Sequence, residues 1–453
     1  MTKKDQNARD LWNRRDFMSA AGTGAAALAA GAGLAKEVAA ESAEGGGTGK
    51  SARARQTIGS EPAAGAWIEL DRAALAANLA VVREAAGGRP VMAVVKANAY
   101  GHGLAPTART LVDAGADALM VVTVDEALAV RDAGIEVPLM NFGPYDTDAA
   151  DELVRQGVEQ SVFTEEAIEG LAAAAQRVGQ AAGDAGQAAG QTGQAVAAVH
   201  VMIDTGLGRV GVPHTRAMEI LEAATENPHV RIAGTLTTLT EDPEFDREQL
   251  LRFEAVCGEA RSRGIDLGTL HVASSAGILD FPEAALDMVR PGIMLYGQYP
   301  NQRSRVGRPI ALQPVLALKA KVACVKTLQP GDSVGYLRAY MAGSTEKVAT
   351  LPIGHSEGYP PAAVAGGGHV WIRGRACPLV GEVTSNHLEV RVPDGLDVEI
   401  GDTATLITAE PGAEPTGVRG RPSPNADILG DWTGLSVYGL LMRLNPLLPR
   451  RLV

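Results

Sequence analysis

The sequence predicts an α/β protein, a (β/α)8 barrel followed by a smaller, mostly antiparallel β domain. Three observations carry this. From Trp67 to Gly297 short apolar, β-branched runs alternate with helix-periodic stretches, the pattern of a parallel sheet covered by helices. Eight such runs occur, at 90–95, 118–122, 137–142, 159–163, 198–203, 230–236, 269–273 and 288–295, the number that closes a barrel. Past Pro300 short β-type runs are divided by Gly/Pro turns, as in an antiparallel domain. A chain of 453 residues is long enough for two domains.

Taken in order, the chain opens with Asn13-Arg14-Arg15-Asp16-Phe17-Met18 and a Gly/Ala-rich run to about Leu34. Paired arginines before such a run read as a twin-arginine export signal over 1–40, with Val38-Ala39-Ala40 as a cleavage site; the alternative is a disordered basic tail. The apolar part is too short for a stable membrane span. Residues 41–62, rich in Gly, Ser and Ala, suit a flexible linker. The barrel is expected over 63–300. A short strand, Trp67–Leu70, precedes Asp71, which reads as the N-cap of a helix over 73–86 whose apolar residues fall at Leu75, Leu79 and Val82. Further helices are expected over 125–133 and 247–263. The stretch 171–198 is Ala/Gly/Gln-rich and reads as a helix extended by a solvent-exposed insertion. The β domain, 301–453, is expected to hold runs at 314–328, 347–353, 369–374, 378–383 and 388–392. Cys257, Cys324 and Cys377 lack metal-ligand spacing and read as buried thiols. A formal charge of −12 argues against nucleic acid or an anionic membrane as partner.

The chemistry centres on Val91–Gly103, VMAVVKANAYGHG. A short apolar run bounded by turn residues reads as a strand buried on both faces. Lys96 then stands at its carboxyl end, where an ammonium is poorly solvated. Desolvation lowers a lysine pKa, and an amine that loses its proton can form a Schiff base. The alternative is a strand-end lysine reaching into water. The tail Ala-Asn-Ala-Tyr-Gly-His-Gly after Lys96 resembles the pyridoxal 5'-phosphate attachment motif of the alanine racemase family. The resemblance extends over roughly residues 65 to 453, and it implies that Trp67–Leu70 joins the second domain.

Barrel enzymes place their sites at the carboxyl ends of the strands, with phosphate at the loops after strands seven and eight. Strand seven runs into Ala273-Ser274-Ser275-Ala276 and strand eight carries Arg290-Pro291-Gly292-Ile293. Hydroxyls and backbone N–H groups suit a phosphate. The resemblance implies that Ser275 and the N–H groups of Gly292 and Ile293 hold the cofactor phosphate, with Tyr100 and Tyr438 adding phenolic donors. It places Arg290 against the pyridine nitrogen, where a protonated guanidinium disfavours ring protonation. That suppresses transamination and favours prompt return of the proton. It assigns Arg209, in Asp204-Thr205-Gly206-Leu207-Gly208-Arg209, to the cofactor's phenolic oxygen and the substrate carboxylate. Racemisation needs a base on each face of the α-carbon. Lys96 serves one face; the resemblance supplies Tyr336, in Gly335-Tyr336-Leu337-Arg338-Ala339-Tyr340, for the other. In the family that base enters from a partner chain, which implies a homodimer with shared active sites.

Several positions depart from the family pattern. Met202 stands where a carbamylated lysine is frequent, and Thr237-Thr238-Leu239 replaces Thr-His-Phe. Ile353-Gly354-His355-Ser356-Glu357-Gly358-Tyr359 replaces Ile-Gly-Tyr-Ala-Asp-Gly-Tyr. Ser385-Asn386 replaces Met-Asp; the backbone of Ser385 can still bind the substrate carboxylate, while Asn386 removes a negative charge. The reading is an exported, periplasmic or extracytoplasmic, pyridoxal 5'-phosphate-dependent racemase of alanine or a related amino acid. The alternatives are a barrel-type decarboxylase, which would place a carboxylate where Arg290 stands, and a non-catalytic homologue that binds the cofactor or an amino acid.

Overall fold

The computed structural model describes residues 65–186, 195–409 and 424–453. The expected signal at 1–40, the linker at 41–62 and the tip of the insertion within 171–198 lie outside the described residues. No helix among the described residues is long and apolar enough to cross a membrane.

The first strand, β1 (Ala66–Leu70), ends at Asp71, whose carboxylate accepts from the Ala74 N–H at 2.9 Å and caps the helix Arg72–Ala85. Seven parallel strands follow: β2 (Met92–Val94), β3 (Ala118–Val121), β4 (Leu139–Asn141), β5 (Val158–Val162), β6 (Ala197–Asp204), β7 (Val230–Leu236) and β8 (Thr269–His271). They pair in sequence order. The helices between them include Val124–Asp132 and Pro243–Ser262. The second begins four residues before the expected 247, because Asp242 caps Glu244 and Phe245 ahead of an N-terminal proline.

The expected eighth strand over 288–295 does not form. Isolated parallel bridges join Val289 to Val91 and Arg290 to Ser274, and Ile293–Tyr296 turns into a 3-10 helix. Pro291 has no N–H to continue a ladder. Its carbonyl still accepts from Val94 at 3.0 Å, and the Val289 carbonyl accepts from Met92 at 2.9 Å. Those bonds close the barrel onto β2 through the irregular segment 289–291.

The antiparallel domain is built from β9 (Leu316–Lys321), β10 (Cys324–Leu328), β11 (Glu346–Leu351), β12 (His369–Ile372), β13 (Arg375–Val380), β14 (Leu388–Val392), β15 (Thr403–Ile407) and β16 (Arg450–Leu452). The sheet runs β10-β11-β14-β13-β12-β15-β9-β1-β16. The early strand β1 thus belongs to this domain, antiparallel to β9 and parallel to the C-terminal β16. The run expected at 314–328 is two strands. Cys257 and Cys377 are buried and burial pushes both thiols up, to about 11 and about 12. Cys324 is only half-buried, because it opens the edge strand β10, paired on one side alone.

Candidate active site

Strand β2 ends at Val94, and Lys96 begins a turn of unusual hand. Ala97, Asn98, Ala99 and Tyr100 have φ of 54°, 55°, 54° and 52°. Such values cost L-residues about 1–2 kcal/mol each, so the surroundings must hold them. Glu126 accepts from the Asn98 N–H at 2.9 Å, and the Asn98 side chain accepts from Leu104 at 2.9 Å. The His102 Nδ1 stands 3.0 Å from the carbonyls of both Ala99 and Tyr100. Arg450, buried on β16, donates to the Gly101 carbonyl at 2.8 Å. Gly101 must be glycine, since a Cβ there would meet the Leu441 carbonyl at 2.0 Å. The turn leaves Lys96 half-buried. Its pKa is lowered by desolvation first, then by the charges of Arg209 and Arg290, while Glu126 acts the other way.

Beside this turn the segments after β8 and after the bridged residues Val289 and Arg290 form an anion cradle. Ser275 Oγ accepts from the Gly292 N–H at 3.0 Å, and a Cβ on Gly292 would lie 2.3 Å from Tyr100 Oη. The Tyr100 ring packs against Tyr296 at 5.0 Å and Tyr438 at 6.1 Å. Burial holds both the Tyr100 and Tyr438 phenols well above their ordinary pKa, so each is a neutral donor. Ile293 follows Gly292 directly and is buried. Hydroxyls, phenols and a bare backbone approach with no carboxylate among them suit a phosphate. With the adjacent low-pKa amine, the donor set fits pyridoxal 5'-phosphate.

Arg290 is 5% exposed. Its guanidinium donates to the carbonyls of Thr237 at 2.8 Å, Val272 at 3.3 Å and His271, and to His271 Nδ1 at 2.9 Å. Thr238 Oγ1 lies 3.4 Å away, so Thr238 keeps a weak contact to this arginine. Burial and the charge of Arg209 bring the Arg290 pKa down to about 9. Arg209 follows the loop whose Asp204 carboxylate accepts from Gly206 at 2.9 Å and Gly208 at 3.1 Å. Its own side chain is exposed, and its charge acts on both Lys96 and Arg290. Met202 is buried on β6.

Lys96, Tyr100, Arg209, Ser275, Arg290, Gly292, Ile293 and Tyr438 are therefore gathered at one end of the barrel. Tyr336 is not brought to them within the described contacts of the chain. It stands 76% exposed on the antiparallel domain, its N–H donating to Glu382 at 2.7 Å, in a loop where Leu337 and Arg338 have φ of 54° and 58°. The cavity beside it is lined by residues of that domain, among them Cys324, Thr384 and His387. Ser385 and Asn386 lie on the same exposed edge. Asn386 Nδ2 donates to Ser356 Oγ at 2.6 Å and to Glu357 at 3.0 Å. Negative charge thus remains next to Asn386, and the amide stabilises it, where an aspartate would have repelled it.

The sequence reading missed several groups that position these residues: Glu126, Tyr296 and Arg450 around the lysine turn, and His200, His271 and Glu159 behind Arg290. A histidine inside an apolar strand, as in Ala197–Asp204, was the available signal.

The chain matches the family model for the alanine racemase N-terminal domain over residues 70–300 and that for the C-terminal domain over 315–452. The alanine racemase of Symbiobacterium thermophilum is 36% identical over 77% of this chain and 89% of its own. Among solved structures, an alanine racemase from D-cycloserine-producing Streptomyces lavendulae has a TM-score of 0.76 at 29% identity, covering 87% of this chain and 98% of its own. The histidine racemase of Leuconostoc mesenteroides has a TM-score of 0.74 at 27% identity, covering 87% and 99%.

Proposed function

The chain belongs to the alanine racemase family, and from that membership and the site's geometry we propose how it acts. It is a pyridoxal 5'-phosphate-dependent amino-acid racemase. The observation that carries the reading is a lysine of lowered pKa on a strained turn, between an anion cradle and a buried guanidinium. Bound pyridoxal 5'-phosphate supplies a ring that withdraws electrons from the α-carbon of an amino acid joined to it.

Lys96 would hold the cofactor through its amine. The Ser275 hydroxyl, the N–H groups of Gly292 and Ile293, and the phenols of Tyr100 and Tyr438 anchor the phosphate. Arg209 orients the substrate carboxylate and the cofactor's phenolic oxygen, and Ser385 offers its N–H to the same carboxylate. Arg290 would present a cation to the ring nitrogen of the bound cofactor and disfavour its protonation. Lys96 Nζ takes or returns the α-proton on one face and Tyr336 on the other. Because no described contact of the chain brings Tyr336, 76% exposed on the antiparallel domain, to Lys96, the second base comes from a second copy, in a homodimer with shared sites. The substrate is alanine or a related amino acid. The polar edge of His355, Ser356, Glu357 and Asn386 supports a side chain other than methyl.

Mixing settles the shared site. A Lys96→Ala chain and a Tyr336→Phe chain are each expected to be inactive. Reassociated in equal amounts they should recover about a quarter of wild-type activity, since half the dimers are mixed and each has one intact site. No recovery on mixing would defeat the two-chain site. Purified protein that exchanges no α-proton of L-alanine, L-serine or L-lysine in heavy water would defeat the racemase reading. We further propose export of the protein through the Arg14-Arg15 signal. Export should be lost in the Arg14→Lys, Arg15→Lys variant, and equal extracytoplasmic amounts of the two forms would refute it.

A further inference from the structure

A barrel interior is ordinarily filled by layers of branched apolar side chains. Here it carries a polar chain behind the candidate active site. His271 Nε2 lies 2.8 Å from His200 Nδ1, and His200 Nε2 lies 2.7 Å from Glu159 Oε2. Both imidazoles are buried, at 0% and 2% exposure. They come from β8 and β6, which are not neighbours, and meet across β7. Side chains two strands apart touch only on the concave side of a barrel. The strand between is hollowed to admit them: Gly234, paired with His200, would place a Cβ 2.5 Å from His200 Nδ1. Glu159 lies near the amino end of β5, two residues before Ser161, the register partner of His200.

The direction of every bond follows from its two ends. Arg290 can only donate, so His271 Nδ1, 2.9 Å from Nη1, is an acceptor without a proton. A neutral His271 then carries its proton on Nε2 and donates to His200 Nδ1. His200 in turn carries its proton on Nε2 and donates to the Glu159 carboxylate, which only accepts when ionised. One arrangement of protons satisfies all three bonds. Burial first, and then the charge of Arg290, holds His271 well below its ordinary pKa. Burial opposes ionisation of Glu159, but its hydrogen bond from His200 and the charges of Arg231 and Arg131 outweigh it. All the acceptors recorded around Arg290 itself are neutral.

We propose that Glu159 and His200 are positioning residues for racemisation, an interior tether that fixes the tautomer of His271 and keeps Arg290 a charged donor aimed at the cofactor's ring nitrogen. This rests on the racemase reading for its consequence, but the tether itself does not. Burying His271 and Arg290 without a tautomer lock would let the imidazole turn its protonated nitrogen toward the guanidinium, placing two donors face to face. Glu159 prevents this from across the barrel by drawing on the proton at the other end.

The test is 15N nuclear magnetic resonance of histidine-labelled full-length protein, without cofactor and then with it, in wild type, Glu159→Gln and Glu159→Leu. In wild type both His200 and His271 should appear as neutral Nε2–H tautomers at neutral pH. Glu159→Gln keeps an acceptor oxygen and should keep the tautomers. Glu159→Leu removes the acceptor and should give mixed tautomers at His200. In the loaded enzymes, racemisation should fall about tenfold in the leucine variant, the scale of lost support behind a site. The share of turnovers ending in transamination should rise, and the glutamine variant should rescue most of the loss. An Nδ1–H or doubly protonated imidazole at either position in wild type overturns the proposal. So does a leucine variant with wild-type tautomers and wild-type partition. Wild-type protein with the expected tautomers but no racemisation would defeat the functional reading and leave the tether standing.

Discussion

The anion cradle makes Gly292→Ala the sharpest probe of the cofactor site. The new Cβ would lie 2.3 Å from Tyr100 Oη and 2.8 Å from its Cζ. Ordinary contact begins near 3.4 Å, so the phenol must retreat by about 1 Å. It has little room: Tyr100 is 6% exposed and its ring is packed by Tyr296 and Tyr438. Two costs follow. Overpacking of this kind destabilises by about 1–3 kcal/mol. A phenol displaced by about 1 Å also leaves hydrogen-bond range of a phosphate oxygen, and a hydrogen bond to a charged group contributes about 1.5–3 kcal/mol, or roughly ten- to a hundredfold in cofactor affinity. Absorbance titration of apoprotein with pyridoxal 5'-phosphate reads the second term and urea denaturation reads the first. In the Tyr100→Phe background the closest contact is gone and the phosphate bond already lost, so the alanine should cost much less there. Wild-type affinity and stability in Gly292→Ala, or equal costs in both backgrounds, would refute the cradle.

Three further outcomes follow from the same site. Burial lowers His102 from 6.5 to about 4; a depressed imidazole gives full stability above 6.5 and loses it as pH falls toward 4. The loss is about 3 kcal/mol, and urea midpoints of His102→Gln should be less acid-sensitive by that amount; parallel acid profiles would count against it. Glu126 raises the Lys96 pKa, so Glu126→Gln, which retains an oxygen for the Asn98 N–H, should shift the pH midpoint for cofactor attachment downward. An upward or absent shift would contradict the assignment. Arg450→Met strips donors from the carbonyls of Gly101, Leu448 and Pro446 and should destabilise by about 3 kcal/mol while slowing cofactor attachment; unfolding and attachment at wild-type values would refute its role as a clamp.

The order of elements was legible because the barrel strands are short apolar runs whose period and length leave little choice. Asp71 was legible for the same local reason, being a cap within one turn of its target. The eighth strand is absent although Met288–Leu295 is apolar at both ends, and the decisive fact is one missing N–H at Pro291. Lys96, Arg290 and Ser275 could be placed because motif and strand end coincide. The supports could not: Glu126, His200 and Arg450 act across 28, 71 and 349 residues of sequence, and nothing local marks their partners. Asn386 shows the limit from the other side. Its amide looked like a lost charge until the fold set Glu357 beside it.

Those distant supports explain how a strained turn persists at the heart of the site. Four non-glycine residues in left-handed backbone after Lys96 form no stable structure alone. Three groups hold the turn: Glu126, from the helix Val124–Asp132, accepts from the Asn98 N–H; His102, at the turn's own end, stands against the carbonyls of Ala99 and Tyr100; and Arg450, from the last strand, donates to the Gly101 carbonyl. Two of these belong to the barrel and one to the antiparallel domain, whose sheet also contains β1. The C-terminal strand thus reaches back to the lysine turn through one guanidinium. A chain that lost β16 would keep every residue of the barrel motif, yet release the Gly101 carbonyl that the Arg450 guanidinium pins. The second domain therefore contributes to the lysine's geometry within its own chain, separately from any base it lends to another copy.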